Sequence, residues 1–143
     1  MRNFLFLIIA FLLPSCLSAQ ERQKEGVDTL TTELKKEFAQ ITFEEQTYDF
    51  GGFSQAKEPV HKHTFEFTNT GNKNLYVLQA VSGCGCTTPK YTKDPVKPGE
   101  TGKIVVRFDA KGQRFGSFRK SITVYTNDPR SYTRLFIKGN ILP

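Results

Sequence analysis

Two thiols separated by a single residue, Cys84-Gly85-Cys86, are the most chemically suggestive feature of this sequence. Several fates suit such a pair. As a disulfide it faces a geometric demand, because an extended i to i+2 pair spans ~6.6–7.2 Å, wider than a disulfide prefers. The chain must then bend, and Gly85 is the residue expected to let it. So small a loop stabilises by only ~1.5 kcal/mol on chain-entropy grounds. As a metal site, Cys84 and Cys86 would join the imidazoles of His61 and His63 around copper(I) or zinc, although the cysteines stand closer together than zinc ligands usually do. As a redox couple they would draw on nearby cations to lower a thiol pKa. Oxidoreductases, however, normally carry Cys-x-x-Cys at a helix start in an α/β fold, and this sequence offers neither. Free thiols without a role are the remaining case. The oxidised pair, with the histidines as bystanders, is the favoured reading.

No other constellation points to catalysis. The glycines near the serines do not build a nucleophile elbow between strand and helix. Asp49, Asp94, Asp109 and Asp128 fall in turns or at strand ends, as capping residues do. Gly51-Gly52 is followed by Phe53-Ser54-Gln55 and lacks the lysine of a phosphate loop. The expectation is therefore no catalytic residue, no cofactor and no enzyme.

The elements that must position these residues read as strands. His61, His63, Phe65 and Phe67 share one face of a run whose other face is Lys62, Thr64, Glu66 and Thr68. Ile104, Val106 and Phe108 alternate with Lys103, Arg107 and Asp109. Ile41 and Phe43, Tyr48 and Phe50, Ile122 and Val124, and Leu135, Ile137 and Ile141 repeat the period of two, while residues 75–81 form a more continuous apolar strand. Such alternation marks half-buried strands with one wet face. Asn69-Thr70-Gly71-Asn72, Lys97-Pro98-Gly99-Glu100, Lys111-Gly112-Gln113 and Asn127-Asp128-Pro129 supply turn chemistry between them. No helical pattern separates the strands, which excludes a parallel sheet with crossover helices. About seven strands in ~100 residues predict an all-β, immunoglobulin-like two-sheet sandwich, with an open barrel as the alternative. Alternating strand directions then bring the start of the His61 strand, the two cysteines and the turn at residues 111–115 to one end. Lys62, Lys90 and Arg114 would join them there. The turns at Gly71, Gly99 and Asp128 fall at the other end and look architectural.

Residues 1–19 read as an address. Arg2 precedes an unbroken apolar run at residues 4–13, too short to span a bilayer, which takes ~20 residues, but right for a signal peptide. Cleavage after Ala19 would release a soluble chain beginning at Gln20. The alternative is a lipoprotein box, Leu13-Pro14-Ser15-Cys16, in which Cys16 is acylated, although Pro14 suits that box poorly. Residues 20–40 are a polar linker or a short helix after Asp28, with Leu30, Leu34 and Phe38 every fourth residue. Residues 41–143 form the domain. Of 143 residues, 38% are hydrophobic and 24% charged, a balance that rules out a collagen, a disordered tail and a polytopic membrane protein. The formal charge is +6, yet its cations are spread thinly, which argues against nucleic-acid binding. Export places the protein in the periplasm or outside the cell, or on the envelope membrane if Cys16 carries a lipid, where disulfides persist.

Tyr48-Asp49-Phe50-Gly51, Phe65-Glu66-Phe67-Thr68-Asn69-Thr70-Gly71, Cys84-Gly85-Cys86-Thr87 and Lys97-Pro98-Gly99-Glu100 with Val106-Arg107-Phe108 together resemble the bacterial domain-of-unknown-function family 1573. The resemblance runs from about Ile41 to Leu142, and Cys-Gly-Cys-Thr is its most specific part. It implies an immunoglobulin-like sandwich akin to the major sperm protein and Hydin-type domains, in exported bacterial proteins, and no established activity. The functional expectation is a cell-envelope binding or structural module with an unidentified protein or envelope partner. The alternative is a thiol or metal-handling envelope protein using the cysteine end.

Overall fold

The computed structural model describes residues 37–143. The leader, Cys16 and the short helix expected after Asp28 lie outside the described residues. Eight strands follow in order: β1 (Ile41–Phe43), β2 (Thr47–Ser54), β3 (Val60–Asn69), β4 (Val77–Ser82), β5 (Thr87–Tyr91), β6 (Thr101–Asp109), β7 (Gly116–Thr126) and β8 (Tyr132–Leu142). They make two four-stranded sheets, ordered β1-β3-β6-β5 and β2-β8-β7-β4. All pairings are antiparallel except β2 with β8, which is parallel.

Alternation in sequence becomes burial between the sheets. Phe65, Phe67, Ile104, Val106 and Phe108 project from the first sheet, and Ile122, Val124, Leu135 and Ile137 from the second, all without exposed surface. The inward faces expected for β3, β6, β7 and β8 are the observed ones. Packing between β3 and β6 is close enough to demand a glycine. Gly102 lies opposite Phe67 in register, and a Cβ there would fall within 3.0 Å of three carbons of the Phe67 ring. Ala39, in the segment read as linker, joins the same core.

The described residues hold eight strands where about seven were expected. The strand missed is β5, whose sequence Thr87-Thr88-Pro89-Lys90-Tyr91 is polar and centred on a proline. Pro89 is tolerated because β5 is an edge, paired only with β6, so the missing N–H breaks no ladder bond. The apolar run at residues 75–81 is also not one strand. Leu75 makes an isolated bridge to Val96, and β4 carries a bulge at Leu78, so Leu78 and Gln79 both oppose Tyr125. A short β1, a proline in β5 and irregularities in β2 and β4 leave these four outer strands poorly suited to casual pairing.

Two buried polar side chains fasten the end that holds the Gly71, Gly99 and Asp128 turns. Asn69 Oδ1 accepts from the backbone N–H groups of Gln40 and Gly71, and its Nδ2 donates to the carbonyls of Lys73 and Val96. Asp128 Oδ2 accepts from Ile41 N–H at 3.0 Å, while Arg130 donates to both Asp128 oxygens and to the Ile41 carbonyl. Asp128 thereby ties the edge strand of one sheet to the β7–β8 hairpin of the other.

Candidate functional site

The cysteines sit where the chain changes sheets. β4 ends at Ser82 in the second sheet and β5 begins at Thr87 in the first. Thr87 N–H donates to the Cys84 carbonyl at 3.2 Å, and Asp109 N–H donates to the Cys86 carbonyl at 2.8 Å. These two bonds fold the turn and bring the Cα atoms of Cys84 and Cys86 to 5.3 Å, with their sulfurs in close contact. That spacing lies within the range a disulfide accepts. The buried Thr87 places its hydroxyl 3.5 Å from the Cys84 sulfur and 3.7 Å from that of Cys86. Gly85 does not play the part expected of it. Its φ is not in the left-handed region, and a Cβ there would meet nothing within 4 Å. The backbone bonds make the bend, not the freedom of glycine.

The double change Cys84→Ser, Cys86→Ser is expected to lower stability by only ~1–2 kcal/mol, because so short a loop constrains the unfolded chain little. Denaturant melts of the two proteins check this, and an unfolded variant would refute it.

The histidines are not brought to the sulfurs. His61 and Thr87 both pair with Phe108, but from opposite sides of β6. Two strand spacings, ~9.6 Å, therefore separate the two backbones. Among the described residues no group of three His, Cys, Asp or Glu side chains is arranged to hold a metal ion. The imidazoles instead fill the seam between β3 and β2. His63 stacks on Tyr48 with ring centroids 3.5 Å apart, and its Nε2 lies 2.7 Å from Glu45 Oε1. His61 lies against Phe53 and Phe50, its Nε2 donating to the Glu58 carbonyl at 2.8 Å. Lys62 and Lys90 alternate with the inward residues and stand on the outer face of the first sheet. Of the three cations expected at the cysteine end, only Arg114 belongs to the feature described next.

That feature is a cleft of about 550 Å³ at the start of β7. Arg114, Arg119 and Lys120 line it together with Phe115, Ser117 and Phe118, and no acidic residue does. Phe118 stacks on the core ring of Phe108 with centroids 4.5 Å apart, which fixes the floor. Phe115 is 60% exposed at the rim. The adjoining backbone is half-covered. β8 pairs with β7 from Gly116 to Tyr125, whereas β4 pairs with β7 only from Ile122 onward. Among the described residues, positions 116–121 of β7 have no strand on the β4 side. The sequence carried Arg114 as a hint of this cleft, but its shape depends on where β4 stops.

The two-sheet architecture is that of an immunoglobulin-like, PapD-like β-sandwich. Residues 41–141 match the family described as "Protein of unknown function (DUF1573)", and the chain belongs to that family. Solved structures share the fold at low identity. A protein of unknown function from Porphyromonas gingivalis W83 is 18% identical with a TM-score of 0.64, over 73% of this chain and 47% of that one. The chain thus spans about half the length of that relative. PapD-like domain 7 of human CEP192 is 9% identical with a TM-score of 0.57, covering 96% of this chain and 97% of that domain. The secreted serine protease VesC of Vibrio cholerae is 10% identical with a TM-score of 0.54, over 71% of this chain and 23% of the protease. No curated protein matches the chain.

Proposed function

We propose that this chain is an exported module of the cell envelope that binds an acidic, extended segment of a partner protein and performs no catalysis. The observation that carries this reading is the half-covered β7 beside a cleft with three cations and no acid. An extended segment continuing the line of β4 would satisfy the open backbone groups of residues 116–121. Affinity would then come from main-chain hydrogen bonds and specificity from the flanking side chains. Arg114, Arg119 and Lys120 select for acid, and the exposed ring of Phe115 offers an apolar contact. Cys84 and Cys86 form a disulfide in this reading, and the histidines serve packing. The metal-handling alternative is disfavoured by the strand that stands between imidazoles and sulfurs.

A synthetic peptide alternating Glu and Val, labelled for fluorescence anisotropy, tests the cleft. Saturable binding that weakens with added salt is expected, because part of the attraction is between exposed charges. The double change Arg119→Glu, Lys120→Glu should weaken it at least tenfold with little change in melting temperature. Equal binding by that variant, or no binding to the wild type, refutes the reading.

Export is part of the proposal and rests on the apolar leader with its small residue at Ala19. Cys16→Ser is expected to be exported and released as soluble protein starting at Gln20, as intact-mass measurement would show. Wild-type protein held in the membrane fraction, and freed by Cys16→Ser, would establish a lipid anchor instead.

A further inference from the structure

We propose that Cys84 and Cys86 form an exchangeable disulfide, a site that takes two electrons from a reduced dithiol of another exported protein. The inference rests on the oxidised pair proposed above but not on what the cleft binds.

The argument begins with loop size. Whatever a disulfide adds to folding, folding must add equally to the disulfide, because the two equilibria share one thermodynamic cycle. A bridge that closes ~100 residues gains on the order of a thousandfold from this linkage. Cys84 and Cys86 enclose one residue, so the fold protects their bond by only about tenfold. The bond is then little harder to reduce in the folded protein than in an unfolded chain. Bridges so weakly protected are the labile ones.

The surroundings allow the reaction. Gly85 is exposed, and a Cβ added to it would meet no atom within 4 Å beyond its two chain neighbours. Cys84 and Cys86 are both half-buried, and Cys86 packs against the core while Cys84 is not part of that packing, so attack is assigned to the Cys84 sulfur. The turn is held by backbone bonds from Thr87 and Asp109, neither of which needs the disulfide. Reduction should therefore leave the fold intact.

The step balances as follows. A partner thiolate attacks the Cys84 sulfur, the S–S bond breaks, and Cys86 leaves as a thiolate. The Thr87 hydroxyl, 3.7 Å away, is placed to donate to that thiolate before it takes up a proton. The partner's second thiolate then attacks the mixed disulfide and releases Cys84, which is protonated in turn. The partner dithiol is oxidised to a disulfide by two electrons, and the Cys84–Cys86 disulfide is reduced to two thiols.

The test equilibrates the purified mature protein, and separately a synthetic peptide of residues 74–90, in glutathione buffers of graded reducing strength. Acid quenching, alkylation and mass measurement then give the reduced fraction of each. Protein and peptide are expected to share an equilibrium constant to within about tenfold, and the reduced protein should keep its circular dichroism and melt within a few degrees of the oxidised form. Protein that stays oxidised under conditions a thousandfold more reducing than those that reduce the peptide would overturn the proposal. So would unfolding on reduction, or thiols that remain free in the most oxidising buffer. Cys84→Ser, Cys86→Ser should still bind the acidic peptide, which separates failure here from failure of the binding reading.

Discussion

Phe67→Ala is expected to cost about 3–5 kcal/mol, the range for deleting a large aromatic ring from a core. Phe67 has no exposed surface, and its ring fills the space over Gly102 that any other residue would occupy with a Cβ. It also packs against Phe43 of β1, with ring centroids 5.5 Å apart. Truncation therefore opens a cavity that the rigid β3–β6 ladder cannot collapse around. A domain with an ordinary margin of about 5–15 kcal/mol loses much of it in one change. Thermal or denaturant melting checks the figure, and near wild-type melting would contradict the assigned inner face of β3.

Asp128→Ala is expected to cost about 2–4 kcal/mol, combining a buried N–H left without a partner with a weakened charge pair on a half-exposed arginine. The donor stranded is the N–H of Ile41, itself buried, and Asp128 is only 4% exposed. The Arg130 guanidinium, then the backbone N–H groups of Arg130 and Ile41, hold the Asp128 carboxyl down from 3.8 to about 2. The sign of the pH effect follows. A carboxyl with a depressed folded-state pKa gives its stabilisation in full above its unfolded value and loses it as pH falls through the folded one. Between about pH 5 and pH 2 the wild type should lose about 2 kcal/mol relative to Asp128→Ala. Parallel stability profiles for the two proteins across that interval would contradict this role for Asp128.

What was legible in the sequence follows from what a strand shows on its surface. β3, β6, β7 and β8 each have one wet face, so alternation declared both their type and their inward residues. β5 was hidden because Pro89 and four polar or half-polar neighbours break the pattern, a break that only an edge position tolerates. The bulge at Leu78 was hidden because an apolar run looks the same with or without an extra residue. Parity placed His61 and His63 on the same face as Phe65, which is where they are. Their expected meeting with Cys84 and Cys86 failed because periodicity says nothing of sheet order, and β6 stands between them. The need for a bend at Cys84-Gly85-Cys86 was readable from chain dimensions, whereas its cause, two backbone bonds to Thr87 and Asp109, is tertiary. The cleft was least legible of all. It exists because β4 is shorter than β7, a property of register that no local pattern carries.

The most direct test of the binding account is site-specific photo-cross-linking in cells. The cross-linking residue is placed either at Ser117, in the cleft, or at Thr64, on the outer face of the first sheet. The account expects a discrete partner adduct from Ser117, at least tenfold weaker once Arg119 and Lys120 are both changed to Glu, and none from Thr64. An adduct from Ser117 that survives the charge reversal, or adducts from Thr64 alone, would contradict it.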